Sequence, residues 1–231
     1  MNISTIMILA AGLGKRLRPY TSNTPKSLIK IGKYTLIEKI INEIEKNRFK
    51  KIIINLHYLK EKIKKKLNKK YKINILFSEE KKLLNTGGGV KNALKIIDQK
   101  EFFVINSDII WSEGKSCPFE NLNNFWNKNK MDALLLLYPT NKVKNKVCGD
   151  FCLDKSGKLL KEKENEPQYI FTGIQILKSN LFRNVKKNSF PLSLIYKKLI
   201  FKKRIYGLIY EGKWFHLGTL ESLKKYEKMI Q

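Results

Sequence analysis

Between Ile6 and Ile31 the sequence reads IMILAAGLGKRLRPYTSNTPKSLIKI, and this stretch restricts the possible folds more than any other. An apolar run, Ile6 to Ala11, breaks into Gly12-Leu13-Gly14, then Lys15, Arg16, Arg18, Pro19, Pro25 and Lys26. The run predicts a buried strand that opens into a glycine loop carrying cations. Glycines let backbone N–H groups approach a ligand closely and neighbouring cations offset its charge, so the pattern builds an anion site. Two better-known phosphate loops are excluded. A dinucleotide fingerprint needs a third glycine where Leu17 stands, and a P-loop needs Ser or Thr where Arg16 follows Gly14-Lys15. Pro19 and Pro25 argue against a long helix directly after the loop.

Downstream, apolar runs alternate with helical stripes. Leu36, Ile37, Ile40, Ile41 and Ile44 form a stripe, followed by strand-like Ile52–Leu56. A Lys-rich helix with Leu59, Ile63 and Leu67 on one face precedes a strand at Ile73–Phe77. Val90, Ala93, Leu94 and Ile97 recur at helical spacing before Phe102–Ile105. A long irregular loop, a helix near Phe119–Asn129 and a strand at Ala133–Tyr138 come next. Strands alternating with helices imply crossover connections: an α/β fold, Rossmann-like and doubly wound, with a mainly parallel sheet and helices on both faces. Ligands bind such sheets at the carboxyl ends of the strands.

The pattern changes after Tyr138. Phe151–Leu153, the turn Asp154-Lys155-Ser156-Gly157 and Lys158–Leu160 read as a hairpin, and Tyr169–Leu177 as a strand. A helix at Leu192–Phe201 and a strand at Ile205–Tyr210 follow. Trp214–Gly218 then leads into a final helix, from Thr219 as N-cap through Met229. No repeat or low-complexity linker interrupts the chain, so residues 1–231 are read as one domain, with halves at 1–138 and 139–231.

Composition narrows the class. With 231 residues and 42% hydrophobic content the chain can bury a substantial core. Its apolar stretches are far shorter than the ~20 residues that span a bilayer, and no basic segment leads an apolar core at the N-terminus. Cys117, Cys148 and Cys152 form no CxxC pair and are odd in number, which favours a reducing cytoplasm. The formal net charge of +27 admits a nucleic-acid or anionic-membrane partner. Yet only five of the 47 basic residues are Arg (Arg16, Arg18, Arg48, Arg183 and Arg204), and Asn and Ile are also abundant. That excess of Lys, Asn and Ile reads as codon bias, and no base-reading motif accompanies it.

Four further segments carry polar chemistry. Asn85-Thr86-Gly87-Gly88-Gly89-Val90 is a glycine run entering a helix, whose exposed amides suit a ring edge or an anion, or else form a capped turn. Asp108 ends the apolar strand Phe102 to Ile105, where an α/β enzyme places a metal ligand and where a turn aspartate also fits. Gly149-Asp150-Phe151 and Thr172-Gly173-Ile174 combine small and polar residues. Trp214-Phe215-His216-Leu217-Gly218-Thr219 holds one of the two histidines; the other, His57, reads as structural.

The full arrangement, Gly12, Gly14, Arg16, Pro19, Thr21, Pro25 and Lys26 at these spacings, resembles the signature loop of the sugar-phosphate nucleotidyltransferases. The other motifs follow in the family's order along the whole chain. The resemblance implies a GT-A-like nucleotidyltransferase fold with a nucleotide-binding half and a small sugar-binding lobe. It also implies transfer of a nucleotidyl group from a nucleoside triphosphate to a sugar 1-phosphate, with Mg²⁺ as cofactor. Arg16, Lys26 and Asp108 become the catalytic residues, Asp108 also the metal ligand. Ala10, Ala11, Gly12, Gly14, Lys15, Thr86, Gly87 and Gly88 become nucleotide contacts. Asp150, Lys163 (of Glu162-Lys163), Thr172 and Gly173 become sugar-phosphate contacts. Ser107 replaces a family glycine, Asn85 stands where Glu is frequent, and His216 replaces an Asp that serves many members as a second metal ligand.

The implied substrates are UTP and N-acetylmuramate 1-phosphate, as in cell-wall recycling, with GTP and mannose or heptose 1-phosphate as the alternative. A monomer or small homo-oligomer without nucleic-acid or membrane partner is expected. Outside the enzyme class, a nucleotide-sugar sensor would account for His216, and a basic nucleic-acid-binding protein for the charge.

Overall fold

The computed structural model describes residues 3–68, 71–112, 117–143, 147–160 and 167–230. Strand β1 (Thr5–Leu9) leads into the glycine loop, which contains only single 3-10 turns at Lys15–Leu17 and Lys26–Leu28, as the prolines require. A two-residue ribbon, β2 (Lys30–Ile31) and β3 (Tyr34–Thr35), delivers the chain to α1 (Leu36–Lys46). A capping box starts this helix: Glu38 N donates to Thr35 Oγ1 while Thr35 N donates to Glu38 Oε2.

Alternation then follows as expected: β4 (Lys51–Leu56), α2 (Lys60–Leu67), β5 (Asn74–Glu79), α3 (Asn85–Ala93) and β6 (Glu101–Asn106). Beyond β6 come β7 (Ile109–Ser112), α4 (Pro118–Phe125), β8 (Ala133–Pro139), β9 (Tyr169–Lys178), α5 (Ser193–Phe201), β10 (Ile205–Ile209), β11 (Lys213–His216) and α6 (Leu220–Ile230). Among the described residues seven strands form the main sheet, in the order β10-β8-β9-β6-β1-β4-β5. Every neighbouring pair is parallel except those of β9, which runs antiparallel between β6 and β8. The sheet therefore interleaves strands from residues 1–138 with strands from residues 139–231.

Period-two alternation sorts the strand side chains onto two apolar faces. Ile6, Ile8, Ile52, Ile54, Phe103 and Ile105 face α1, α2 and α4. Met7, Ile53, Phe102, Val104, Leu135 and Leu137 face α3 and α5. A third cluster packs α6 through Leu223 and Tyr226 on Leu17 of the glycine loop, Ile110 of β7 and Leu217. The C-terminal helix thus holds the loop against the second half of the chain. No helix among the described residues is long and apolar enough to cross a membrane.

Three expectations need correction. Ile109–Ser112, read as irregular loop, is β7, paired antiparallel with β11 so that His216 lies opposite Ile109. The helix expected to reach Asn129 ends at Phe125, because Trp126 is extended and Asn127 caps a turn through its side chain. The hairpin near Asp154 has its turn, closed by Gly157 N on Asp154 O at 3.0 Å, but only the single bridge Leu153–Leu159. Phe151 pairs instead with Tyr169, and Lys158 with Tyr206, so the segment is stitched between the edges of β9 and β10.

Candidate active site

The carboxyl ends of β1, β4 and β6 lie side by side, with Leu9 between Asn55 and Asn106. Just beyond them the glycine loop turns back on itself. Gly14 adopts a left-handed conformation with φ of 64°, and Thr21 Oγ1 donates to its carbonyl at 2.8 Å. A Cβ on Gly14 would lie 2.9 Å from Thr21 Cγ2 and 3.3 Å from Lys26 Cβ, so only glycine lets the two arms of the loop close. At Gly12, by contrast, a Cβ would meet nothing, and the residue is exposed. Ala10 and Ala11 are buried beneath the loop, whereas Lys15 and Arg16 are exposed.

Lys26 forms an ion pair with Asp108, one residue past Ser107 at the end of β6. His216 Nε2 lies 3.1 Å from the same Asp108 oxygen. The antiparallel pairing of β7 with β11 makes this contact, reinforced by Leu217 N donating to Asp108 O at 2.7 Å. Burial alone would raise the Asp108 pKa; the His216 hydrogen bond and the charge of Lys26 outweigh it and hold the carboxyl well below the usual carboxylate range. Arg16 completes the group. A Cβ on Gly218 would lie 2.5 Å from the His216 ring and 3.3 Å from Arg16 Nη2, so both side chains crowd the same backbone. Residues 16 and 26 of the glycine loop are therefore brought together with residues 108 and 216, far along the sequence.

From this group a cleft of about 1130 Å³ runs between β9, β11 and α6. Tyr138, Asp150, Thr172, Trp214 and His216 line it. Trp214 and His216 stack at 5° with centroids 6.2 Å apart, and Trp214 Nε1 donates to Thr172 O at 2.9 Å. The Thr172 hydroxyl, expected to face a ligand, is fully buried and donates inward to Leu136 O. Asp150 uses one carboxylate oxygen to accept from Phe171 N at 2.8 Å. Gly173, with φ of 91°, lets β9 pass within contact of Asn106. Lys163, with its neighbour Glu162, lies outside the described residues.

The glycine run differs from its reading as a set of exposed amides. Gly87, Gly88 and Gly89 lie inside α3 and are buried. Gly87 N and Gly88 N donate to Phe190 O at 2.8 and 3.0 Å, and Thr86 Oγ1 accepts from Leu192 N. A side chain at Gly87 or Gly88 would overlap Phe190 or Asn188, so these glycines seat the helix start on the 188–192 segment. His57 is structural in the expected sense, its Nδ1 2.9 Å from Glu80 O. Asn106 ends β6 and Asn55 stands one residue before the end of β4, and neither belongs to a motif that the sequence singles out.

The nucleotidyl transferase family profile matches residues 5–231. Over 219 residues the chain is 29% identical to the N-acetylmuramate alpha-1-phosphate uridylyltransferase of Caulobacter vibrioides, covering 92% of this chain and 90% of that protein. It is 30% identical over 230 residues to the mannose-1-phosphate guanyltransferase of Yarrowia lipolytica, covering 92% of this chain and 60% of the longer relative. Among solved structures, UDP-glucose pyrophosphorylase complexed with UDP-glucose superposes with a TM-score of 0.82 at 16% identity, covering 99% of this chain and 98% of the other. HddC from Yersinia pseudotuberculosis gives 0.81 at 21%, with 99% and 100% coverage. Fold, loop and family match agree from end to end, and the chain belongs to the nucleotidyl transferase family.

Proposed function

We propose that this enzyme makes a nucleoside diphosphate sugar and pyrophosphate from a nucleoside triphosphate and a sugar 1-phosphate. The convergence of Arg16, Lys26, Asp108 and His216 beside both the glycine loop and the cleft carries this reading. An oxygen of the sugar 1-phosphate would attack the α-phosphorus in line, and the α–β bridging bond would break as pyrophosphate leaves. Such a reaction needs positioning and charge stabilisation more than covalent help. The loop from Ala10 to Lys15 would hold the triphosphate, and Arg16 and Lys26 would neutralise it and the transferring phosphoryl group. Thr86, Gly87 and Gly88 would border the base. With its amides engaged by Phe190 O, the α3 start would do so through shape and through the exposed Thr86. Gly173, Asp150 and Lys163 would serve the sugar phosphate, while Thr172, its hydroxyl turned inward to Leu136 O, would only shape the cleft wall.

The donors at Asp108 fit a magnesium ion that keeps most of its coordination to phosphate and water. One carboxylate, 14% exposed, already holds a cation in Lys26. Among the described residues no three His, Cys, Asp or Glu side chains converge, so Asp108 would be the main protein ligand. When bound, the ion would offset phosphate charge at the reacting centre. The nitrogen of His216 ranks behind phosphate oxygens for so hard a cation and would instead orient Asp108.

The relatives support UTP and N-acetylmuramate 1-phosphate as the substrates, the uridylyltransferases of Caulobacter and of Neisseria meningitidis matching nearly end to end. The guanyltransferase likeness favours GTP with mannose 1-phosphate as the second reading. The enzyme would work in the cytoplasm as a monomer or small homo-oligomer, with no nucleic-acid or membrane partner. Pyrophosphate release with UTP, GTP, CTP and dTTP, each against N-acetylmuramate, mannose, heptose and glucose 1-phosphates, tests the proposal. One strongly favoured pair, inactive in Asp108→Ala, is the expected result; no turnover with any pair overturns it.

A further inference from the structure

One buried polar pair lies outside the residues assigned so far. Asn55, one residue before the end of β4, and Glu80, just past the end of β5, are 3% and 5% exposed. Asn55 Oδ1 accepts from Ala10 N at 2.8 Å, and Asn55 Nδ2 donates to Glu80 Oε1 at 2.7 Å. Glu80 Oε2 accepts from Leu84 N at 2.9 Å, the residue before α3. These partners fix the orientation of the Asn55 amide, since the Ala10 N–H must face its oxygen and the Glu80 carboxyl its nitrogen.

The chain of bonds joins two separate parts of the site. Ala10 is the first residue past the end of β1, so its amide has left the strand ladder and would otherwise be an orphaned buried donor. Leu84 opens the segment that carries Thr86 onto α3. A second observation shows that space was kept for the pair: a Cβ on Gly89 would lie 2.7 Å from both Asn55 Nδ2 and Glu80 Oε1. The third glycine of the run is thus explained by what lies beneath the helix.

We propose that Asn55 and Glu80 are positioning residues for the nucleoside triphosphate, fixing the glycine loop that holds its phosphates relative to the start of α3 that borders its base. The inference rests on the nucleotide site proposed above. Neither residue touches substrate; both act through the backbone at Ala10 and Leu84.

A polarity swap tests it. Asn55→Asp places two carboxyl groups face to face, and Glu80→Gln sets an N–H against either Asn55 Nδ2 or Leu84 N. In Asn55→Asp/Glu80→Gln all three bonds can re-form, with Asp accepting from Ala10 N and from the Gln amide, and the Gln oxygen accepting from Leu84 N. Binding of UTP and GTP with Mg²⁺ is measured by calorimetry well below each variant's Tm. The KM of the sugar 1-phosphate is measured at saturating nucleotide.

Each single variant should weaken nucleotide binding about tenfold or more, with the double variant returning to within a few-fold of wild type. The sugar-phosphate KM should stay within a factor of about two, which a general loss of structure would not leave unchanged. Single variants that bind nucleotide normally, a double variant that fails to recover, or parallel loss for both substrates would overturn the inference. Wild-type protein that binds neither nucleotide and releases no pyrophosphate with any substrate pair overturns the functional reading and this inference with it.

Discussion

Asp108 Oδ2 is shared: Lys26 pairs with it, and His216 Nε2 lies 3.1 Å away on the other element. The carboxylate thus ties the glycine loop to the β7–β11 ribbon, and Lys26 pairs with its charge. Residues that act as one unit give non-additive losses. Lys26→Ala and Asp108→Ala should each lower pyrophosphate release by about 10²-fold or more, and the double variant should lose little beyond the worse single one. Steady-state kinetics on the three proteins check this. Losses that multiply would mean that the two side chains serve separate steps.

Gly218 sets the position of His216. A methyl there would lie 2.5 Å from the ring, closer than any tolerated contact, and 3.3 Å from Arg16 Nη2. Gly218 carries no positive φ, so Gly218→Ala acts through crowding and not through backbone strain. The expected result is a loss of pyrophosphate release on the order of tenfold, with Tm nearly unchanged, because the His216 ring is on an exposed edge and can swing aside. His216→Ala in the same background removes the crowded ring and should add little further loss. A Tm drop comparable to a core substitution would show that Gly218 matters for folding instead.

The sheet was legible because its strands are buried on both sides and its helices carry striped faces; both signals are local and periodic. The conformation of the glycine loop was legible because φ, charge and proline requirements are written in adjacent residues. β7 was missed because three apolar residues, Ile109 to Trp111, are too short a run to show a period. The Asn55–Glu80 pair was missed for a different reason. Asn55 bonds to residues 25 and 45 positions away, and a single Asn near the end of an apolar strand has no period at all. The glycine run misled because its amides are taken by a carbonyl about a hundred residues later in the chain, Phe190 O, which no local pattern announces.

Asp132 offers a pH-dependent test of stability away from the site. It sits at the opposite end of β8 from the cleft, where Arg204 grips it through Nε and Nη2, both at 3.0 Å, and Lys178 adds a contact at 2.8 Å. The Arg204 hydrogen bonds, offset in part by burial and aided by Lys178, lower its pKa from the ordinary value. A carboxyl with a depressed folded-state pKa contributes stability above its unfolded value of about 3.9 and loses it as pH falls through the folded value. Asp132→Asn should therefore lower stability by about 1 kcal/mol near neutral pH. The Tm gap from wild type should begin to narrow as pH falls below about 4. Thermal unfolding between pH 3 and 7 (a range set by those ordinary values) reads this out, and pyrophosphate release at neutral pH should be unchanged. A gap that does not narrow toward pH 3 would mean that Asn disturbs packing and that the charge is not responsible.

Gly14 and Thr21 close the glycine loop together, and the closure can be taken apart in two steps. Alanine at Gly14 must hold φ of 64°, which costs an L-residue about 1–2 kcal/mol, and its methyl would overlap Thr21 Cγ2 at 2.9 Å. Thr21→Ser deletes that Cγ2 but keeps the hydroxyl that donates to Gly14 O at 2.8 Å. Alone it should be nearly neutral in nucleotide affinity. Gly14→Ala should weaken triphosphate binding about tenfold or more, since the loop must open to seat the methyl. Gly14→Ala/Thr21→Ser should recover only part of that loss: the overlap is removed while the φ strain stays, and Lys26 Cβ still lies 3.3 Å from the new methyl. Calorimetric titration of the three variants with nucleoside triphosphate separates the two causes. Full recovery would assign the whole effect to overlap, and no recovery would assign it to the backbone alone.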